Sequence, residues 1–129
     1  MIVGVGLDLV EIAHFKRIIQ KGGVAFYKKI LTPAEFKEVT QLGQTAQISY
    51  GAKRYAIKEA FAKACGTGIG KFVGFRDVTV AHDNAGAPIL KLSSKMETRL
   101  KHKFGDNVKV SVSLADDHLA GAIVILSRD

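Results

Sequence analysis

The chain contains few of the residues that define several large classes of protein. Its 129 residues include one cysteine, two prolines and no tryptophan. A single cysteine, Cys65, cannot form an internal disulfide and leaves no cysteine pair for a structural zinc site, and it fits a reducing compartment. Stability must therefore come from a packed core, and 47% hydrophobic residues are enough for one such core. We expect one domain over residues 1–129, located in the cytoplasm.

Long hydrophobic runs are also missing. The apolar start of the chain runs into Asp8 and Glu11, lacks a basic flank and is too short for a signal peptide or a membrane span. No segment repeats at a fixed period, and no low-complexity tract interrupts the pattern. We expect no membrane partner.

Acidic residues are the scarcer charged type. The sequence has 19 Lys and Arg against 12 Asp and Glu, a net charge of +7. This balance favours an acidic partner, which could be a nucleic acid, an anionic membrane, a phosphorylated ligand or an acidic protein. Charge alone does not choose among these four.

The hydrophobic pattern predicts an α+β fold with a mostly antiparallel sheet, packed with helices that include one long central helix. In the first strand, Gly4 and Gly6 indicate that neighbouring backbone approaches closely, and Asp8 follows the strand's end. Capping boxes are predicted at Thr32–Glu35 and Ser94–Glu97. The predicted helices cover residues 12–23, 33–42, 48–65 and 94–104, and the predicted strands cover residues 2–7, 77–81, 88–92, 108–114 and 119–126.

Two motifs lie about fifty residues apart. The first is Gly4-Val-Gly-Leu-Asp8-Leu-Val-Glu11, and the second is Arg54-Tyr-Ala-Ile-Lys-Glu59-Ala-Phe-Ala-Lys63-Ala-Cys-Gly-Thr-Gly68. Together they resemble, over the whole chain, the short bacterial class of phosphopantetheinyl transferases, the holo-acyl-carrier-protein synthases. The resemblance implies transfer of 4′-phosphopantetheine from coenzyme A to a serine of an acidic apo acyl carrier protein, in fatty acid biosynthesis. It also implies Mg²⁺ as cofactor and a homotrimer with active sites at the subunit interfaces.

The resemblance makes Asp8 and Glu59 the ligands of Mg²⁺. The chemistry agrees, because Mg²⁺ takes one or two carboxylates and completes its shell with water and phosphate oxygens. On position alone, Asp8 could be a turn residue, and Glu59 with Lys63 could be a surface pair at i, i+4. We leave Glu11 outside the metal site, as an acid favoured by the helix dipole.

The resemblance also assigns residues to catalysis and to coenzyme A. Glu59 and Lys63 are catalytic, and proton removal from the serine stays open between Glu59 and a metal-bound water. Gly66 and Gly68 could equally be a helix cap. The residues expected to contact coenzyme A are Arg54, Lys58, Lys63, Gly66, Gly68 and His118.

One strand departs from the family pattern. Many members carry Ser-x-Ser-His, whereas this chain has Ser111-Val-Ser-Leu114 followed by Ala-Asp-Asp-His118. Leu114 therefore removes a histidine base at that position. His118 becomes the candidate for nucleotide contact instead.

The first helix is rich in basic residues and could be an ordinary solvated face. Since acyl carrier proteins are acidic, the resemblance makes this helix the docking surface, where charge mainly raises the association rate. A histidine stands at position 14, where relatives often have arginine. The residues expected to contact the carrier are His14, Lys16, Arg17 and Lys21.

A non-enzymatic nucleic-acid-binding module is the alternative that the positive charge allows. The chain has no aromatic RNA-binding signature, no helix-turn-helix pattern and no zinc-finger spacing. This alternative also leaves the pair Asp8 and Glu59 unexplained. We therefore expect no nucleic-acid partner.

Overall fold

The fold is that of a computed structural model, which describes residues 1–129. It is α+β, as predicted, and every strand pair in it is antiparallel. Strands β1, β4 and β5 form a three-stranded sheet in the order β1-β5-β4, and β2 pairs with β3 in a separate hairpin. The elements are β1 (Ile2–Glu11), α1 (Ile12–Ile30), α2 (Pro33–Val39), α3 (Gln44–Ala64), β2 (Val78–His82), β3 (Pro88–Leu92), α4 (Ser94–Phe104), β4 (Lys109–Asp116) and β5 (Leu119–Ser127).

The long helix α3 is the centre of the molecule, and it begins four residues earlier than predicted. One face of it carries Ala52, Ala56, Ala60 and Ala64, all buried, against β1 and β5. Small side chains let the helix and the sheet come close together, so that the core there is built from alanine, glycine and backbone.

The predicted close approach at the two glycines of β1 is confirmed. A Cβ atom at Gly4 would overlap the carbonyl oxygen of Ala64, and one at Gly6 would overlap that of Ala60. Neither position can hold a larger residue unless strand and helix separate. The glycines therefore set the distance between β1 and α3, and with it the position of the next residue on that face, Asp8.

Helix α1 continues past the glycine pair that was predicted to end it. The backbone leaves the helical region at Gly23, with φ 59° and ψ −146°, and a second helical stretch then runs to Ile30. The prediction located the break correctly but missed the second stretch, which is anchored by the buried Tyr27 and Ile30.

The two predicted helix caps differ in outcome. The capping box at Thr32 and Glu35 is present. At α4 the capping residue is Ser93, whose Oγ accepts from the backbone nitrogen of Met96 at 3.1 Å, and not Ser94 as predicted. Ser93 has the extended backbone of a cap residue, with ψ 158°, whereas Ser94 is already helical.

No helix in the structure combines the length and the apolarity that crossing a membrane requires.

Candidate active site

Asp8 lies within β1 and not at its end. The prediction that the strand stops at Leu7 was wrong, because pairing with β5 continues to Glu11, opposite Leu119. Side chains alternate across a strand, so Asp8 shares the inner face with Gly4 and Gly6 and points toward α3. The turn-residue interpretation of Asp8 is thereby excluded.

Lys63 of α3 contacts Asp8 directly. Its Nζ donates to Asp8 Oδ1 at 3.0 Å and to the carbonyl oxygen of Leu7 at 3.1 Å. The side chain of Lys63 is 50% exposed and that of Asp8 is 15% exposed. The pair therefore faces a space that solvent and a ligand can enter.

Glu59 lies one helical turn before Lys63, on the same stripe of α3. Burial and the nearby charge of Asp8 raise the pKa of Glu59, whereas Lys63 and a side-chain contact from Tyr55 lower it. Two carboxylates thus lie close to one ammonium group. The arrangement carries excess negative charge that a bound cation would neutralise.

These side chains line a cavity of about 290 Å³ between β1, α1 and α3. Its polar residues come from two sequence regions that are far apart, the start of the chain and the middle of α3. They are Asp8, Glu11, His14, Tyr55, Glu59 and Lys63.

The donor set fits Mg²⁺ better than it fits a closed metal site. The structure contains no group of three or more His, Cys, Asp and Glu side chains arranged around one point. Structural zinc needs four such ligands, whereas Mg²⁺ is satisfied by one or two carboxylates together with water and phosphate oxygens. Asp8 and Glu59 supply that number.

Lys58 does not fit the expectation that it contacts coenzyme A. Its side chain is fully buried, and its Nζ donates to Glu35 Oε1 at 2.5 Å and to the carbonyl oxygen of Ile30 at 2.8 Å. Helical spacing turns Lys58 toward α2, away from Glu59 and Lys63. We therefore correct that assignment: Lys58 is part of the core.

Arg54 shares the stripe of Lys58 and is 7% exposed. Its guanidinium lies over the ring of Tyr50, 3.4 Å from the centroid, and donates to the carbonyl oxygen of Tyr50 at 3.4 Å. Its Nε has no hydrogen-bond partner. Arg54 therefore does not line the cavity that contains Asp8.

Gly66 and Gly68 lie in the turn that ends α3. Both have positive φ, 82° and 66°, and the backbone nitrogen of Gly68 donates to the carbonyl oxygen of Ala62 at 3.1 Å. These are the features of a helix C-terminal cap, which was one of the two interpretations left open. Neither glycine lines the cavity.

His118 lies at the turn between β4 and β5, beside the start of α1. Its side chain is 82% exposed and lies 3.6 Å from Asp117, and its carbonyl oxygen accepts from the backbone nitrogen of Ile12. Leu114 lies opposite Ala122, which in turn lies opposite Asp8. Asp8, Ala122 and Leu114 thus lie in one row across the sheet. The third position of that row is an apolar side chain and cannot act as a base.

The four basic residues expected to contact a carrier protein are exposed along α1. His14 also lines the cavity of Asp8 and Glu59. Lys16 lines a second cavity of about 400 Å³, beside Thr45 and Ser49 near the start of α3. Of these four residues, His14 therefore borders the candidate site.

Sequence reasoning missed two residues that line the cavity, Glu11 and Tyr55. Glu11 is the last residue of β1 and precedes the first helical turn, where we expected it to lie. Tyr55 received no functional role from the sequence, although its spacing of four residues from Glu59 is a signal that both share one face.

Comparison with known proteins shows the family of this chain. The profile of the 4′-phosphopantetheinyl transferase superfamily matches residues 4–123. The holo-[acyl-carrier-protein] synthase of Lactobacillus johnsonii is 39% identical over 128 residues, which cover 99% of this chain and 98% of that protein.

Solved structures show the same fold. The crystal structure of the Neisseria meningitidis holo-[acyl-carrier-protein] synthase has a TM-score of 0.91 and 38% identity, covering 99% of this chain and 100% of the other. That of the Bacillus anthracis enzyme, in complex with CoA (3′,5′-ADP), has a TM-score of 0.82 and 34% identity, covering 100% of this chain and 99% of the other. The chain belongs to the 4′-phosphopantetheinyl transferase superfamily.

Proposed function

We propose that this chain is a holo-acyl-carrier-protein synthase, which transfers 4′-phosphopantetheine from coenzyme A to a serine of apo acyl carrier protein in fatty acid biosynthesis. One observation carries the proposal: Asp8 and Lys63, 55 residues apart in sequence, form an ion pair beside Glu59 in an open cavity. The chain also matches relatives of that activity over their full length.

The reaction forms a bond between the serine Oγ and the β-phosphorus of coenzyme A. The bond from that phosphorus to the oxygen of the leaving group breaks, and 3′,5′-ADP departs with the electron pair. Charge develops on the pyrophosphate oxygens, so catalysis requires cationic groups around them and a base for the serine proton. The carrier supplies the nucleophile, which explains why this chain needs no nucleophilic side chain of its own.

Asp8 and Glu59 are proposed to hold Mg²⁺, which when bound would neutralise charge on the pyrophosphate. Lys63 approaches the same place from the adjacent turn of α3, and its half-exposed ammonium group can turn from Asp8 to a phosphate oxygen. Glu59 is the base that this chain itself can supply, since burial raises its pKa and so strengthens it as a proton acceptor.

Arg54 is proposed to bind a phosphate of coenzyme A after a change of its side-chain conformation. The guanidinium has no carboxylate partner, and its buried Nε is unpaired. A buried cation without an anion is costly, so a phosphate would stabilise it. Within one chain the cavity is not lined by Gly66, Gly68 or His118. Their contact with coenzyme A is therefore proposed for a site that is completed at a subunit interface.

A homotrimer with sites at its interfaces is the proposed assembly. The outer face of the three-stranded sheet exposes Val5, Leu7 and Leu9, which are 55%, 56% and 61% exposed. They lie beside Ile123 and Ile125 of β5 in the sheet register. An apolar sheet face of this kind is stabilised by association with another copy, and rotational symmetry would make all sites equivalent. Native mass spectrometry would give the number of chains directly.

The carrier is proposed to dock on α1, from where its serine could reach the adjacent cavity. The docking residues would be His14, Lys16, Arg17 and Lys21.

The cytoplasm is the proposed location of the protein. The buried thiol of Cys65 is unpaired, which fits a reducing compartment. Residues 1–129 would act as a single transferase domain.

Intact-mass spectrometry tests the function. Apo acyl carrier protein is incubated with this protein, coenzyme A and Mg²⁺, with an EDTA control. We expect a gain of about 340 Da, the mass of one phosphopantetheine group, that EDTA abolishes. The absence of a gain with several carriers would contradict the proposal, and salt-sensitive binding to nucleic acid would then favour the alternative.

A further inference from the structure

Tyr55 lies one helical turn before Glu59 on α3, and both side chains line the cavity that contains Asp8. Residues four apart in a helix are neighbours on one face, so the phenol and the carboxylate lie side by side. The cavity thus contains a neutral hydrogen-bond donor next to one of its carboxylates.

The ring of Tyr55 is held by other aromatic rings. Phe75 stacks on it with centroids 5.5 Å apart and planes at 26°, while Phe15 lies at 6.0 Å and Phe26 at 6.3 Å. Contacts on several sides restrict rotation of the ring. The position of the hydroxyl is therefore set by packing, before any ligand binds.

The phenol and the carboxylate are close enough to affect each other's charge. Burial is the main cause that raises the pKa of Tyr55, followed by the charges of Glu59 and Asp8 and the contact of its side chain with that of Glu59. The same contact favours the ionised form of Glu59.

We propose that Tyr55 is a positioning residue, an inference that rests on the proposed function. Its hydroxyl donates a hydrogen bond to Glu59 and orients that carboxylate for a divalent cation shared with Asp8. Groups that hold a metal ligand in place from behind are known to affect metal affinity strongly. In this proposal Tyr55 acts through Glu59 and not on the reacting atoms.

Tyrosines elsewhere in the core show that a hydroxyl is not needed for packing. The hydroxyl groups of Tyr27 and Tyr50 are buried without any hydrogen-bond partner. Tyr27 packs on Phe15, at 6.4 Å, as Tyr55 does, but it does not line the cavity. It provides a matched control with the same chemistry, the same aromatic neighbour and no carboxylate nearby.

The test compares Tyr55→Phe with Tyr27→Phe and the unmodified chain, with Mn²⁺ as a spectroscopic probe of the cation site. Binding of Mn²⁺ in the presence of coenzyme A is measured from the electron paramagnetic resonance signal of the free ion. We expect Tyr55→Phe to weaken binding about tenfold, and to raise by a similar factor the Mg²⁺ concentration that gives half-maximal transfer. Tyr27→Phe should match the unmodified chain in both.

A purely structural role for Tyr55 would lower thermal stability without changing cation affinity. Unchanged Mn²⁺ affinity in Tyr55→Phe, or an equal loss in Tyr27→Phe, would overturn the proposal. If the unmodified chain binds Mn²⁺ but transfers no phosphopantetheine, the proposed function fails. The positioning proposal then depends only on the binding comparison, so the two failures are distinguishable.

Discussion

Two of the lysine–carboxylate pairs on helix α3 differ in their access to solvent. Lys58 and Glu35 form a sealed pair, with an N–O distance of 2.5 Å and both side chains 0% exposed. Lys63 and Asp8 form an open pair, with a distance of 3.0 Å and side chains 50% and 15% exposed. The same helix and the same residue types thus produce two different environments.

The sealed pair joins several elements. Glu35 Oε1 accepts from the backbone nitrogen of Thr32 at 2.9 Å, and its Oε2 accepts from that of Val80 at 2.9 Å. The Nζ of Lys58 also donates to the carbonyl oxygen of Ile30 at the end of α1. With these bonds Glu35 and Lys58 connect α1, α2, α3 and β2, and leave no room for a ligand.

The open pair remains accessible to a ligand. Lys63 is half exposed, Glu59 lies next to it, and the two carboxylates have only one ammonium group between them. The comparison shows that burial, and not residue type, separates a lysine that holds the fold together from one that can act on a ligand.

Breaking the sealed pair should have the largest effect on the stability of the fold. Glu35→Gln removes the carboxylate and leaves the Lys58 ammonium buried without its counter-ion, which should lower the free energy of unfolding by about 3–5 kcal/mol. Urea denaturation followed by circular dichroism measures it. The double variant Glu35→Gln with Lys58→Met should recover part of the loss, because no unpaired charge remains and the amide oxygen can still accept from a backbone nitrogen. A single variant as stable as the unmodified chain would show that the pair is not structural.

Breaking the open pair should affect activity and spare the fold. Asp8→Ala removes one proposed metal ligand, and we expect the rate of transfer to fall by about 100-fold. The free energy of unfolding should change by less than about 1 kcal/mol, since the pair is partly exposed. Asp116→Ala is a suitable control, because it removes another partly exposed pair, with Lys53 at 3.3 Å. Near-normal transfer by Asp8→Ala at saturating Mg²⁺ would exclude Asp8 as a ligand.

Moving the strand should disturb the open pair and leave the sealed pair unchanged. Gly6→Ala forces a Cβ into the carbonyl oxygen of Ala60, so β1 must move away from α3. We expect a loss of about 1–3 kcal/mol in stability, together with reduced transfer as Asp8 moves away from Lys63. A Cβ at Gly70 would meet no atom within 4 Å, so Gly70→Ala should change neither property. Full activity of Gly6→Ala would show that the strand spacing does not determine the site.

Neutralising the remaining carboxylate should give the smallest change in stability, and one of opposite sign. The pKa of Glu59 is raised in the folded chain, chiefly by burial and then by Asp8, so ionisation of Glu59 opposes folding. Glu59→Gln should therefore slightly raise the melting temperature at pH 7 while it abolishes transfer. The difference in melting temperature between the variant and the unmodified chain should grow as pH rises above about 4.3, the ordinary pKa of glutamate. It should vanish at lower pH, where Glu59 is protonated in both the folded and the unfolded chain. A lower melting temperature in the variant at pH 7 would contradict this account.

Much of the fold could be predicted from local signals. Helix α2 was identified by its capping box, and the close approach of neighbouring backbone to β1 by two glycines. The second half of α1 was missed because Gly23 breaks the backbone path without ending the helical region, and what holds the later stretch is tertiary packing of Tyr27 and Ile30.

The cavity was harder to predict in detail. The motifs indicated Asp8, Glu59 and Lys63, and these three do lie together. Helical spacing could not assign Lys58 to the core, because the residue that buries it, Glu35, comes from a different helix 23 positions earlier. The spacing of Tyr55 from Glu59 could have indicated its place beside the cavity, but the packing of its ring could not be predicted, since its three aromatic neighbours come from α1 and from the turn before β2.

The two faces of β1 limit changes in its length. Gly4, Gly6 and Asp8 face α3, while Val5, Leu7 and Leu9 face outward. Inserting or deleting one residue between Gly6 and Asp8 would exchange the faces, placing a leucine in the cavity and the carboxylate on the apolar surface. A one-residue insertion should therefore be tolerated in the exposed turn at residues 83–86 but not between Gly6 and Asp8.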